Sequence, residues 1–242
     1  MERYIASGGA SIWTHARGTA HRGSILLCSG GPGCCDYLLP VSEMLEDTFQ
    51  VIRFEQRGCG RSTADGQYDL QTILRDMEAI REAYGLDTWT VGGHSWGADL
   101  SLIYALAHPA RAEAVLFMAG VGLQCNRQWY EAYRAGRAAC GEDMPAFEFP
   151  FNPEVNEQGN RSFREYVQQP KLYSRLAALQ CPVLFLCGGE DIRPQWPADQ
   201  LHNLLPNSTF RILPEAAHYL WLHAPEPVRR ALREFLKIEG EE

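Results

Sequence analysis

Six short apolar runs, at 24–28, 51–54, 89–91, 114–118, 183–187 and 210–213, alternate along the chain with longer stretches in which apolar residues recur at helical spacing. That alternation constrains the fold more than any other feature, because strand, helix, strand repeated in order builds a parallel sheet covered by helices. Four of the runs are almost unbroken in hydrophobicity, the pattern of strands buried on both faces. Two earlier segments, 3–6 and 11–15, fit a hairpin. The sequence therefore predicts an α/β fold: a mostly parallel eight-stranded sheet flanked by helices.

Between Asp69 and Gly85, Leu70, Ile73, Leu74, Met77, Ile80 and Tyr84 mark one face of a helix, with Asp69 placed to cap its start and Gly85 to end it. Val228, Ala231, Leu232, Phe235 and Leu236 repeat the pattern near the C-terminus, entered through Pro225 and Pro227 and followed by Gly240. The alternation fails once, over 120–180, where Pro, Gly, Arg and aromatic residues crowd together. This stretch reads as a cap inserted into a core domain made of 1–119 and 181–242. Its seven acids balance its seven bases, so by count it holds no charge that would select a charged substrate. Its aromatics, Trp129, Tyr130, Tyr133, Phe147, Phe149, Phe151, Phe163, Tyr166 and Tyr173, either line a pocket or form a small core of the insert.

With 242 residues the chain can bury one substantial core. A net charge of −8 opposes a counterion-driven grip on nucleic acid or on an anionic membrane. The N-terminus has neither a signal-peptide h-region nor a spanning apolar run, so a cytoplasmic location is expected. Eight cysteines without a C-x-x-C pair, several inside apolar runs, read as reduced and mostly buried.

Gly93-His94-Ser95-Trp96-Gly97 fits G-x-S-x-G, with a strand leading in at Trp89 and a buried apolar helix leading out from Ala98 to His108. Such a turn lifts the serine hydroxyl out of the sheet. A serine is inert near neutral pH without a base to take its proton and a third group to orient that base. Asp191 follows the strand 183–187, and His218 follows the strand 210–213, so both fall in loops at the C-terminal edge of the sheet, where catalytic groups gather in open α/β folds. Glu190 and His223 are the respective rivals. His15, His21, His108 and His202 lie away from that edge or end helices, and His94 occupies the variable position of the turn.

Ser29-Gly30-Gly31-Pro32-Gly33 ends the strand 24–28 in a glycine-rich turn. Glu55 follows at a spacing that suits a ribose-binding acid, but the third glycine of G-x-G-x-x-G and the lysine of a P-loop are both missing. The better use is to aim a second backbone N–H, that of Gly31, at the oxyanion already faced by the N–H of Trp96.

Three motifs together resemble the proline iminopeptidase branch of the α/β-hydrolase fold: Ser29-Gly30-Gly31-Pro32-Gly33 is similar to its HGGPG loop, Glu55-Gln56-Arg57-Gly58-Cys59-Gly60-Arg61-Ser62 to its DQRGCGRS stretch, and Gly93-His94-Ser95-Trp96-Gly97 to its GGSWG turn. The resemblance implies Ser95, His218 and Asp191 as a catalytic triad, an oxyanion hole at Gly31 and Trp96, and a small-molecule or short-peptide substrate. No metal or organic cofactor is implied. In related sequences the histidine is often followed by a proline seven residues on, which here is Pro225 after His218. Ser29 and Glu55 stand where His and Asp are usual. Family aminopeptidases hold the substrate amine with cap glutamates, one of them in W-x-x-W-E, for which this chain offers Trp129-Tyr130-Glu131. Amide and ester hydrolysis (aminopeptidase, carboxylesterase or lactonase) therefore both remain open, beside a non-catalytic binding protein on the same fold.

Overall fold

The computed structural model describes residues 1–141 and 145–238. The hairpin β1 (Glu2–Ser7) and β2 (Ala10–Arg17) is followed by β3 (Ser24–Cys28), α1 (Leu39–Glu43), β4 (Gln50–Phe54), α2 (Leu70–Ala83), β5 (Trp89–His94), α3 (Trp96–Ala107) and β6 (Ala112–Met118). Then come α4 (Arg127–Cys140), α5 (Pro153–Val167), α6 (Leu172–Ala178), β7 (Val183–Gly188), α7 (Trp196–Leu204), β8 (Ser208–Leu213), α8 (Leu220–His223) and α9 (Pro225–Phe235). The strands form one sheet in the order β1-β2-β4-β3-β5-β6-β7-β8. Pairing is antiparallel from β1 to β2 and from β2 to β4, and parallel elsewhere. The eight-stranded, mostly parallel sheet is the one the sequence predicts.

Alternate residues of the central strands serve two different cores. Leu26, Val91, Val115, Phe117 and Phe185 pack with α2 and α3 on one face, while Ile25, Leu27, Leu116, Met118 and Leu184 pack with α1, α8 and α9 on the other. Both parities are apolar because both faces are covered, which is why these strands lack polar alternation.

Asp69 caps α2 through its Oδ1, which accepts the N–H of Thr72 at 3.0 Å, and Gly85 sits at φ +68 just past the helix. α9 begins at Pro225 as expected, whereas the expected exit at Gly240 lies outside the described residues. The structure departs from the sequence reading at β5, which continues past the apolar run through Gly92, Gly93 and His94. Weak strand formers are tolerated there because both neighbours hold them: Gly93 is in register with Cys28 of β3 and Phe117 of β6. All eight cysteines are free, and Cys28, Cys34, Cys35, Cys59 and Cys187 are buried. Among the described residues no helix is long and apolar enough to cross a membrane.

The sheet has a switch point. From β3 the chain moves outward to β4, then returns to lay β5 on the other side of β3, so the loops after β3 and β5 diverge from adjacent C-terminal strand ends. The loop after β4 braces this edge. Arg57, 3% exposed in its side chain, donates from Nε and Nη2 to the carboxylate of Asp76 on α2 at 3.0 and 2.6 Å, from Nη2 to the carbonyl of Ser7 at 2.9 Å, and pairs with Asp65. Cys59 packs with Tyr68 and Val155. Glu55 accepts from Asp36 N at 3.2 Å and from Arg61 Nε and Nη2 at 3.0 and 2.7 Å, so its carboxylate is occupied in holding the loop.

Arg57→Ala would leave Asp76, with a side chain 2% exposed, as a buried carboxylate without its cation. The expected cost is about 3–5 kcal/mol, read from urea unfolding; a loss below about 1 kcal/mol would show that the bridge is not what braces the loop.

Candidate active site

At the end of β5 the chain reverses into α3 through Ser95, which adopts φ 57 and ψ −129. A side chain at positive φ is strained by about 1–3 kcal/mol and persists only where its surroundings dictate it. Here they do. The N–H of Ser95 donates to the carbonyl of Met118 at 2.9 Å, and the Ser95 carbonyl accepts the N–H of Ala98 at 2.9 Å in the first turn of α3. The flanking glycines make the tight passage possible, since a Cβ at Gly93 would overlap the Gly97 carbonyl and one at Gly97 would overlap the Cys28 carbonyl. Trp96 is the first residue of α3, where a backbone N–H has no partner within the helix and points out of its end.

His218 and Asp191 meet on neighbouring loops. His218 Nδ1 lies 2.7 Å from Asp191 Oδ2, with side chains 7% and 5% exposed. An ionised carboxylate only accepts, so Nδ1–H donates and Nε2 carries the lone pair. The rivals Glu190 and His223 line one pocket with this pair, but both are exposed. Burial pushes the Asp191 carboxyl up to about 6. Burial, reinforced by the Arg193 cation, holds the His218 imidazole well below its ordinary 6.5. At neutral pH the pair is therefore a carboxylate beside a neutral imidazole.

Among the described residues no direct hydrogen bond joins Ser95 Oγ to His218; the connection between their loops runs through His94. His94 Nε2 lies 2.9 Å from the backbone carbonyl of His218, which can only accept, so Nε2 holds the proton. His94 Nδ1 must then accept from the Tyr37 hydroxyl at 2.8 Å, and the Tyr37 oxygen in turn accepts the N–H of Gly30 at 2.7 Å. This chain links the glycine-rich turn, the serine turn and the histidine loop with every donor directed. Burial holds His94 well below 6.5 and Tyr37 well above 10, so both stay neutral and the directions persist across ordinary pH. The sequence reading set His94 aside as a variable position; the signal that could have found it is a polar aromatic inside an otherwise apolar strand end.

The glycine-rich turn closes over the serine. A methyl group at Gly30 would come within 2.9 Å of Ser95 Cβ. Gly31, at φ +118, lines the same cavity as Ser95 and Trp96. The stretch between β6 and β7 is tied down upon it: Asn156 Nδ2 donates to the Pro32 carbonyl at 2.8 Å and Asn152 N to the Gly33 carbonyl at 2.9 Å.

That cavity measures about 240 Å³, small beside the several hundred Å³ of a site for drug-sized ligands. Of the aromatics singled out in the sequence, Trp129, Tyr130, Tyr133 and Phe163 line it. Phe147 instead packs on Tyr37, Phe149 lies near Arg61, Tyr166 joins the main core, and Phe151 and Tyr173 are exposed. Glu131 pairs with Arg127 at 2.7 Å with over half its side chain exposed, and does not line the cavity. Of the charged residues described in 120–180, Arg164 alone lines the cavity, beside Asp99 and Arg193 from outside the insert. Among the described residues no cluster of three or more His, Cys, Asp or Glu is placed to hold a metal ion.

A family model described as alpha/beta hydrolase fold matches residues 23–140. The protein named "Putative carbamate hydrolase RutD" of Escherichia coli O26:H11 is 26% identical over 231 residues, covering 84% of this chain and 86% of that protein. Among solved structures, a proline iminopeptidase of Mycobacterium smegmatis superposes with a TM-score of 0.76 at 19% identity over 98% of both chains. An enol-lactonase of Burkholderia xenovorans LB400 gives 0.78 at 17% identity, over 97% of this chain and 99% of that one. At such identities the likeness to solved structures speaks to the fold.

Asp99, fully buried in α3, accepts the N–H of Gly122 at 2.8 Å and of Val121 at 3.1 Å, and desolvation still raises its carboxyl from 3.8 to about 8. A raised folded value means the native state holds the proton more tightly; that stabilisation is complete below about pH 4 and is lost as pH rises through about 8. Asp99→Asn, which does not titrate, should therefore gain thermal stability relative to wild type between pH 5 and pH 8. A difference in Tm that stays constant or shrinks over that interval would show that Asp99 enters the fold already ionised.

Proposed function

We propose, from the premise that this chain has the α/β-hydrolase fold, that it is a serine hydrolase acting on an ester or lactone of a small acyl group. Its core, 1–119 and 181–242, supplies the reacting groups and the insert, 120–180, supplies the cap. Ser95 Oγ attacks the carbonyl carbon and gives its proton to His218 Nε2, while Asp191 holds Nδ1–H and stabilises the imidazolium. The oxygen that becomes negative accepts from the N–H groups of Gly31 and Trp96, each donor contributing about 3 kcal/mol to the transition state. The tetrahedral intermediate collapses, the departing alkoxide takes the proton from Nε2, and an acyl-enzyme remains on Ser95. Water then attacks the acyl carbon with His218 again as base, releasing the acid and restoring the serine.

The observation that carries this reading is the strained Ser95 at a switch point shared with a buried His218–Asp191 pair, the two loops tied together through His94. An unmade Ser–His hydrogen bond is compatible with it, because such contacts often tighten only when substrate arrives. Ester chemistry is favoured over aminopeptidase chemistry by the cavity wall. A substrate ammonium needs a carboxylate to meet it, yet Glu131 faces solvent, and Asp99 is engaged by two backbone N–H groups.

Fluorophosphonate probe should label the wild type on Ser95. Ser95→Ala should lose all labelling, and His218→Ala should lose at least about 100-fold in labelling rate. A folded wild type that stays unlabelled, as judged by an unchanged melting transition, would reject the reading.

The protonation states give a second test. Catalysis needs neutral His218 and ionised Asp191, and both conditions fail only on the acid side, at about pH 6 or below. The acid limb of kcat/KM is expected there; a limb centred at pH 7 or higher would contradict the assigned pair.

A further inference from the structure

The hydrogen bonds that run from Gly30 through Tyr37 and His94 to the His218 carbonyl end on two segments that the proposed reaction needs: the turn that offers the Gly31 N–H and the loop that carries the base. Neither Tyr37 nor His94 is part of the triad or of the oxyanion hole. A buried polar chain carries a desolvation penalty that apolar side chains of the same shape would not. What it does at this edge follows from its contacts.

His94 is fully buried, and its ring lies directly against that of His218, with centroids 4.5 Å apart and planes inclined by 51°. Tyr219 and Trp221 lie against the same ring at 5.0 and 4.8 Å. His94 thus supports the base by ring contact and holds its backbone through Nε2–H. A second imidazole this close is also a rival for the proton that Ser95 releases. Tyr37 removes the rivalry: its hydroxyl donates to the Nδ1 lone pair of His94, and Nε2 already carries a proton, so no basic nitrogen is left open. His94 therefore stays uncharged beside the imidazolium that forms on His218, where a second cation would oppose it.

The same hydroxyl acts on the oxyanion side. Its oxygen accepts the N–H of Gly30 while Gln56 Nε2 donates to the Ser29 carbonyl at 3.4 Å, so both polar ends of the Ser29–Gly30 peptide are held. The next peptide bears the Gly31 N–H, and two successive glycines have little stiffness of their own to aim it.

We propose that Tyr37 and His94 are positioning residues for the hydrolysis: Tyr37 steadies the oxyanion turn and, through one tautomer of His94, the imidazole of His218, so that both are held at one spacing around Ser95. This rests on the serine hydrolase reading and deepens it. Both side chains act through other groups.

The test uses the full chain and p-nitrophenyl acetate, with kcat counted per site that fluorophosphonate labels, so that unfolded molecules do not enter the rate. Tyr37→Phe keeps the ring that packs on Phe147, Tyr219 and Trp221 and deletes only the hydroxyl. Its kcat should fall about tenfold to a hundredfold. Acylation and deacylation use the same donors and the same base, so both slow together and KM should stay within about twofold. His94→Leu should lose kcat to a similar degree. His94→Gln, which can still donate to the His218 carbonyl, should recover about threefold or more of that loss. The Tyr37→Phe, His94→Leu double variant should fall short of the product of the single losses by about fivefold or more, because both substitutions break the same bond. An unchanged kcat in Tyr37→Phe, a loss confined to KM, single losses that multiply, or a His94→Gln no better than His94→Leu overturns the positioning role, and the hydrolase reading stands so long as the wild type labels and turns over. A folded wild type that neither labels nor cleaves the ester removes the hydrolase reading and the positioning role with it.

Discussion

A serine forced to positive φ between the central strand and the first helix packed against it is the constraint on which the remaining architecture depends. Its cost of about 1–3 kcal/mol has to be offset by neighbours that admit no alternative path. β5 lies between β3 and β6, its last residues in register with Cys28 and Met118, and α3 is buried along its length. The strand and the helix are fixed independently, and the turn must join them in the space that Gly93 and Gly97 leave open. Relaxing Ser95 would require sliding α3 across the sheet, so the hydroxyl is presented by the packing of the core and not by contacts of its own.

The polar groups at this edge follow from the same packing. Buried imidazoles and carboxyls are tolerated only when every proton has an acceptor, and the chain from Gly30 through Tyr37 and His94 to the His218 carbonyl meets that condition with neutral partners. Its consequence is mechanical. The glycine-rich turn, the serine turn and the histidine loop come from distant parts of the sequence, yet none can shift by an ångström without breaking a buried hydrogen bond. His94 and Tyr37 hold these three segments to one another.

What the sequence disclosed and what it withheld divide along physical lines. The sheet was legible because burial of both strand faces writes itself as unbroken apolar runs, as at 24–28 and 183–187. Ser95 was legible because a passage that tight excludes side chains, and glycine is the only residue without one. The meeting of Asp191 with His218 could be anticipated because parallel strands deliver their following loops to one edge. The anchoring role of Glu55 could not, since its partners Arg61 and Asp36 N are set by the path of two loops. β5 outran its apolar pattern for a related reason: hydrogen bonding from two flanking strands overrode the weak propensity of Gly92 and Gly93.

Charge is where a linear count says least about the site. Summed over 120–180, seven acids cancel seven bases, but a substrate responds to the few groups that face it through a low dielectric, and most of those fourteen side chains face water. Glu131 and Arg127 neutralise each other on the surface, as do Glu157 and Arg161; exposed pairs of this kind are screened and contribute little anywhere else. Arg164, on the same helix as Arg161 and likewise exposed, stands at the edge of the cavity, and Arg193, which reaches that wall from outside the insert, is paired with Asp191. Which charges stand beside Ser95 is therefore fixed by how the loops fold and not by the count along the chain. A core of this fold determines which bond-breaking chemistry is available, and a handful of side chains over the mouth determine what is admitted to it. In this chain the wall beside Ser95 is set with Trp129, Tyr130, Tyr133 and Phe163, and its buried cation, Arg193, is held to Asp191 and Tyr133.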